Sequence, residues 1–523
     1  MFKILPFLLL AACAQPATDM VNHQEYDLII TNAQIIDGTG ADAFEGDILI
    51  KDGVIKKIGK IEPDQISSGK KIDAAGRIVS PGFIDMHAHG NPLETPQFEN
   101  FLTMGITTIN LGQDGGSILT RDLYGWMNDV DEIGTGPNII HMQGHSTLRQ
   151  LAEAPLQTGL DSATITQMQT LMNEAMLAGS FGLTTGLEYI PGKFADITEL
   201  VAIAKPVAKY DGLVQSHIRN EDDNQVEKSI AELLEQGERS GAKVHISHIK
   251  IVYANDPSRA GYILEMLQKA RTDGIQVTAD IYPYTASYTG IGIVFPDWAK
   301  APNNFDEVIE KRREELVEFL REKIKSRNGP ESTLFGTDPW TGMTLADVAD
   351  SLNKPFEDVL IDDIGPLGAR AAYFVMNEKV MLRFLQDPYV MIGSDGSPTM
   401  QHPRGYGSFA RIIQKYVVED EILNLEEAIR KMSGLSAKTL GLDDTTKVRI
   451  PRGFIKTGFA ADLLIFDPKN IRDKASYEQP HQLSEGFDWV IVNGIPAYEG
   501  GEFTNLNIGK VIRRKVDAEK FGR

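Results

Sequence analysis

Short β-rich runs alternate with stretches of helical periodicity across residues 81–440, and this alternation constrains the fold more than any other feature of the chain. The runs fall at residues 83–89, 107–112, 138–143, 181–186, 213–217, 244–248, 276–281 and 390–394. Apolar residues at helical spacing fill 165–178, 224–237 and 260–273 between them. That is the pattern of parallel βα units. Eight of them imply an α/β fold built on a (β/α)8 TIM-type barrel. About a hundred residues separate the seventh run from the eighth, far beyond an ordinary βα loop. They include a charged, helix-like run at 305–327. On a barrel such an insertion falls over the mouth, and a lid is expected at about residues 290–388.

The two chain ends read differently. Residues 26–80 carry short strands divided by Gly-rich and Asp-rich turns, and residues 441–523 return to the same texture. A small β-sandwich built from both ends, with the barrel inserted between them, accounts for this. A length of 523 residues suits a large barrel with such an addition. The net charge of -21, from 73 acidic and 52 basic side chains, excludes nucleic acid as a partner for the surface as a whole. Phosphate binding needs clustered Lys and Arg.

The sole cysteine, Cys13, rules out an internal disulfide. It follows Lys3, an apolar run and the small residues of Leu10-Ala11-Ala12-Cys13, the pattern of a bacterial lipobox. Residues 1–25 are therefore expected to be a lipoprotein signal and tether. Lipidated Cys13 would then be the only membrane contact of a periplasmic body. No other stretch is apolar enough to span a bilayer.

Polar residues gather at the C-terminal ends of the barrel strands, where such folds keep their active sites. His87 and His89 lie two apart on the first strand and so share a face. His217 ends the fifth, His248 the sixth, and Asp395 follows the eighth. One such His is commonly only a hydrogen-bonded structural residue, but four of the ten histidines fall at the same end of three strands. Together they form a ligand set for zinc with an oxygen base beside it. His245, three residues before His248, is expected to face the other way and to be structural. His145 and Arg149 also sit at a strand end and are candidates for shaping the pocket.

Here the sequence resembles the amidohydrolase superfamily, through Pro81-Gly82-Phe83-Ile84-Asp85-Met86-His87-Ala88-His89. Along nearly the whole chain it is similar to one branch, the N-acyl-D-amino acid deacylases, or D-aminoacylases. The motifs are Gly144-His145-Ser146-Thr147-Leu148-Arg149, Gly186-Leu187-Glu188-Tyr189, Ser216-His217-Ile218-Arg219-Asn220-Glu221 and Ser247-His248-Ile249-Lys250. Tyr282-Pro283-Tyr284, Ser394-Asp395-Gly396 and His402-Pro403-Arg404-Gly405 continue the match. The resemblance implies one metal position at His87 and His89, a second at His217 and His248, and Asp395 as general base. It implies one or two Zn2+ ions, with Co2+ or Mn2+ able to substitute. It assigns a substrate carboxylate to Lys250, Tyr282, Ser287 and Arg404, and Arg suits a bidentate clamp.

The chain departs from the family at the second strand. Those deacylases place a metal-binding Cys in a Gly-Asn-Cys-Gly turn; here the turn is Gly112-Gln113-Asp114-Gly115. A carboxylate also binds or bridges zinc, as a harder ligand. Asp114 is therefore the expected ligand, an ordinary Asp-Gly turn being the plainer reading, and Glu188 is the alternative. The activity implied is hydrolysis of N-acyl-D-amino acids, small molecules with a free carboxylate. A dipeptidase for C-terminal D-residues, a cyclic-amide or lactone hydrolase, and a lipid-anchored binding protein without catalysis stand as alternatives.

Overall fold

Eight parallel strands surround a common axis in the computed structural model, which describes residues 24–61, 66–254 and 256–516. Cys13 and the lipobox lie outside the described residues. The strands are β1 (Phe83–Asp85), β2 (Ile106–Leu111), β3 (Asn138–His141 with Gln143–Gly144) and β4 (Gly182–Gly186). They continue with β5 (Leu213–His217), β6 (Lys243–Ile246), β7 (Val277–Ile281) and β8 (Val390–Ile392). One ladder runs β1-β2-β3 and another β3-β4-β5-β6-β7-β8. The ring is joined beyond the ends of β8 and β1, where Ala88 bridges Gly396. Asp395 N donates to His87 O at 2.7 Å, and His89 N donates to Gly396 O at 2.7 Å. The closing contacts thus set Asp395 directly beside the His87–His89 pair.

The helices between the strands begin and end where local chemistry dictates. Ser162–Ala178 starts ahead of the apolar repeat because Asp161 caps it, accepting from Thr164 N at 2.8 Å. Gly179, at φ 110, ends it. Val226–Ser240 and Ser258–Thr272 also run slightly off the window of their apolar periodicity.

Side chains from strands that are not neighbours meet inside the ring. Asn110 of β2 donates to Gln215 of β5 at 3.2 Å, and Gln215 donates to Asp280 of β7 at 3.4 Å. His245 joins this layer, its Nε2 2.8 Å from Asp280 Oδ2. The expectation that His245 faces away from His248 is therefore corrected. His248 lies past the end of β6 with φ 36, outside strict strand alternation, so both rings reach the interior. His245 remains structural, within a fully buried polar layer beneath the strand ends.

Strands from both chain ends share a second sheet. Ile78–Pro81 pairs antiparallel with Leu463–Phe466, which continues to Phe487–Val492. Leu28, Ile30, Ile48, Ile50, Ile465 and Ile491 form its core. Beyond it the tail returns to the barrel, where Val511 bridges Ile139 of β3. Between β7 and β8 the chain forms a three-stranded antiparallel sheet from Ser287–Gly290, Thr333–Phe335 and Arg370–Tyr373, with the helix Phe305–Ser326 packed nearby. This insertion has its own apolar core, including Ile291, Leu316, Leu320, Val348 and Leu360.

Candidate functional site

The turn after β2 aims one carboxylate at four imidazoles. Gly112 at φ 89 and Gly115 at φ 77 flank Asp114, itself at φ 53. A Cβ on Gly112 would fall 2.0 Å from the Met142 carbonyl oxygen, so only glycine fits there. Asp114 Oδ1 lies 3.4 Å from His87 Nε2, 3.8 Å from His217 Nδ1 and 3.5 Å from His248 Nε2. Its Oδ2 lies 3.5 Å from His89 Nε2. Asp395 Oδ1 stands 3.1 Å from His89 Nε2 and 3.6 Å from His87 Nε2. Donor atoms around a four-coordinate zinc, each about 2.0–2.1 Å from it, are roughly 3.4 Å from one another. Three groups among the described residues hold their ligand atoms within 4.8 Å of one another: His87, His89, Asp114 and Asp395; Asp114, His217 and His248; and Glu188, His217 and Glu221. Asp114 belongs to the first two and so links the four imidazoles.

Unmet polar atoms support the fit. Both ring nitrogens of His87 and Oδ1 of Asp114 are buried without a hydrogen-bond partner. Such a group ordinarily costs about 1–3 kcal/mol, and coordination to a cation removes the deficit. Asp114, His248 and Asp395 all hold left-handed backbone, at φ 53, 36 and 50. Each departure costs on the order of 1–3 kcal/mol, and such strain gathers at functional sites.

The electrostatics favours positive charge at this point. Burial lowers the pKa of His89, yet Asp114 and Asp395 raise it to about 9. Burial and Lys250 lower the pKa of His248, yet Glu221 and Asp114 raise it to about 10. Burial would raise the Asp395 carboxyl, but Arg404 and His87 hold it well below the usual carboxylate range. The same balance, with His87 foremost among the groups that lower it, holds Asp114 well below. A dication suits such a field.

Supporting residues with no role assigned by the sequence motifs complete the arrangement. Asp280 Oδ1 accepts from His248 N at 2.8 Å. Asp85 Oδ1 accepts from His87 N at 3.0 Å and from Ser394 N at 2.9 Å, tying β1 to β8 below the site. Glu221 Oε1 lies 3.2 Å from His248 Nδ1 and accepts from Lys250 Nζ at 2.6 Å. Lys250 Nζ also stands 2.8 Å from His248 Nδ1, so Glu221, Lys250 and His248 form one buried charged group that holds the imidazole in place. Glu221 sits in the quoted run that begins at Ser216, four residues past His217. The histidine is the residue that marks this run in the sequence, and only the fold turns the carboxylate toward β6.

A cavity of 390 Å³ opens onto this cluster, lined in part by His89, Asp114, His217, His248 and Asp395. Lys250, Tyr282, Ser287, Arg404 and Glu188 line it too. Arg404 donates from Nη2 to Tyr288 O at 3.3 Å, sets Nη1 2.9 Å from Asp395 Oδ2 and leaves Nε unpartnered. His402 accepts from Arg404 N at 3.0 Å and holds Ala286 O at 3.1 Å, which fixes that loop. Glu188 Oε2 lies 3.1 Å from His217 Nε2, behind the imidazole rather than beside Asp114. His145 and Arg149 stand apart from the cavity wall. Both engage Glu199, at 2.8 Å from His145 Nε2 and 2.8 Å from Arg149 Nε, in a buried triad.

Known proteins share this organisation. A family profile described as urease alpha-subunit, N-terminal domain, matches residues 12–77. An N-acyl-D-glutamate deacylase of Alcaligenes xylosoxydans xylosoxydans is 30% identical over 96% of this chain and 100% of its own length. A D-aminoacylase of the same organism is 28% identical over 94% and 98%. A crystal structure of an N-acyl-D-glutamate deacylase from Bordetella bronchiseptica, complexed with zinc and a phosphonate mimic of the tetrahedral intermediate, superposes with a TM-score of 0.80. It is 30% identical and covers 94% of this chain and 100% of that one. With four imidazoles on three barrel strands, a base at the end of β8 and full-length likeness of this kind, the chain belongs to the N-acyl-D-amino acid deacylases of the amidohydrolase superfamily.

Proposed function

We propose that this protein hydrolyses the amide bond of N-acyl-D-amino acids, giving a carboxylate and a free D-amino acid. The observation that carries the reading is the meeting, in one cavity, of the Asp114-centred ligand cluster with Asp395 and Arg404. The residues fit zinc: His87 and His89 would hold one position, His217 and His248 another, with Asp114 between. Zinc held there supplies Lewis acidity toward water and the scissile carbonyl.

The chain's own groups do the rest. Asp395, kept ionised by Arg404 and the imidazoles, accepts the proton of the attacking water. It then returns that proton to the leaving amine as the C–N bond breaks. Glu221 holds His248 and Lys250 in place. The α-carboxylate finds donors with capacity to spare. Arg404 Nε is unpartnered, and the Tyr282 hydroxyl has only the Met376 sulfur, a weak acceptor at 3.8 Å. Lys250 stands beside the Tyr282 ring, its Nζ 5.7 Å from the centroid, and Ser287, at the start of the insertion strand Ser287–Gly290, lines the same cavity.

Arg404→Lys tests the clamp. A guanidinium offers paired donors to a carboxylate, and Lys offers a point charge. Loss of one charge-assisted bond should lower kcat/KM on free acids by about tenfold or more. The corresponding carboxamides should start slow and change far less. Equal losses on acid and amide would mean that Arg404 only holds its loop, and a cyclic amide would become the better substrate class.

We further propose that Cys13 is lipidated, so that the enzyme works at a bacterial membrane from the periplasmic side. The support is the placement of the sole thiol after Leu10-Ala11-Ala12. Among the described residues no helix is long and apolar enough to cross a membrane.

A further inference from the structure

Three cations line the cavity: Lys250 and Arg404 are buried and already engaged, and the third is exposed. Lys250 Nζ lies 2.6 Å from Glu221, and Arg404 Nη1 lies 2.9 Å from Asp395. The third is Arg370, which opens the insertion strand Arg370–Tyr373. Its backbone is well held: N donates to Thr337 Oγ1 at 2.9 Å, and O accepts from Gly336 N at 2.9 Å. Its guanidinium has no carboxylate partner among the described residues. It lies only against the Tyr288 ring, 5.9 Å from the centroid.

The surroundings leave room for a ligand group. Arg370 stands in register with Gly290 on the neighbouring strand. A Cβ at Gly290 would meet nothing within 4 Å, so the space beside the arginine on that face is open. The wall near this strand pair is otherwise apolar or neutral, with Ile293, Tyr288 and Thr289. The acidic members of the cavity stand with the metal ligands or pair with Lys250. A cation on a rigid strand, facing a cavity and without a counter-charge, is suited to an anion on the ligand.

We propose that Arg370 reads a second carboxylate, carried on the substrate's side chain, so that the preferred substrates are N-acyl-D-amino acids with acidic side chains. This rests on the deacylase reading above. The scissile carbonyl lies at the Asp114 cluster and the α-carboxylate at Arg404 and Tyr282. The side chain is left to extend along the remaining wall toward the insertion. Arg370 is thus a specificity-determining residue, not part of the bond-breaking machinery.

The test compares kcat/KM of the zinc-loaded full-length enzyme on N-acetyl-D-glutamate, its isostere N-acetyl-D-glutamine and N-acetyl-D-methionine. The wild type should favour D-glutamate over D-glutamine by at least about tenfold, the scale of one charge-assisted contact. Arg370→Gln should bring that ratio close to one. Arg370→Glu should invert it and raise N-acetyl-D-lysine above D-glutamate. A wild type that turns over the glutamine or methionine derivative as fast as the glutamate derivative would overturn the role of Arg370 while leaving the deacylase reading intact. An unchanged ratio in Arg370→Gln would do the same. Failure on all N-acetyl-D-amino acids, in enzyme shown to contain metal, would instead overturn the deacylase reading and this proposal with it.

Discussion

Asp395 holds its carboxylate between His89 Nε2 at 3.1 Å and Arg404 Nη1 at 2.9 Å, with its own backbone at φ 50. Asn has the same shape but cannot take a proton from water. Asp395→Asn should therefore retain fold and metal, read by circular dichroism and elemental analysis. Its turnover should fall by about 10²–10⁴, the usual contribution of a general acid–base group. Near wild-type turnover would move the base elsewhere, with Glu188 next in reach of His217. At this scale the sequence was most informative where a residue stood at a strand end. His87, His89, His217, His248 and Asp395 could all be read from spacing. The partners behind them could not. Glu221 and Asp280 act across 27 and 32 residues or more of chain and carry no local signature. The direction of His245 differs from the expectation because strand alternation does not extend to His248, two residues beyond β6.

The barrel strands are legible because they are short β-rich runs, several of them followed at once by a polar residue, and their order follows from βα units. Element ends were less so, since Asp161 and Gly179 override the apolar repeat that flags the helix between them. The triad of His145, Arg149 and Glu199 shows the same limit. A motif placed two of its members near a pocket, whereas the third, on Ile197–Lys209, draws them into a buried cluster. That cluster makes a stability prediction. Burial alone would raise the Glu199 carboxyl, but His145 and Arg149 outweigh it and bring it from 4.5 to about 2. Its folded-state pKa is depressed, so its stabilisation is full above pH 4.5 and is lost as pH falls toward 2. Glu199→Gln should cost about 3–5 kcal/mol near neutral pH, by leaving the buried Arg149 guanidinium uncompensated. Denaturant unfolding should show the gap from wild type narrowing below pH 4.5. A gap unchanged down to about pH 2.5 would contradict the assignment.

Across the whole molecule, the two chain ends meet in one sheet through Ile78–Pro81 and Leu463–Phe466, a pairing that matched texture at both ends made legible. The return of Val511 to β3 had no such signal, because a single bridge needs no strand pattern. The net charge of -21 bears on the surroundings of the enzyme. An anionic body gains nothing from an anionic membrane surface, so attachment would depend on Cys13 alone. Cys13→Ser should shift the protein from the membrane fraction to the soluble periplasmic fraction on cell fractionation. Wild type recovered wholly soluble with an unmodified thiol would refute lipidation.

The central claim is that the Asp114-centred cluster, loaded with metal, cleaves the acyl group from D-configured amino acids. The most direct measurement is hydrolysis of paired N-acetyl-D- and N-acetyl-L-glutamate by the zinc-loaded enzyme, repeated after chelation and after zinc is restored. The account predicts turnover of the D-enantiomer with little on the L-enantiomer, loss of activity with loss of metal, and recovery on reloading. Equal rates on both enantiomers, or full activity in protein shown by elemental analysis to be free of metal, would contradict it.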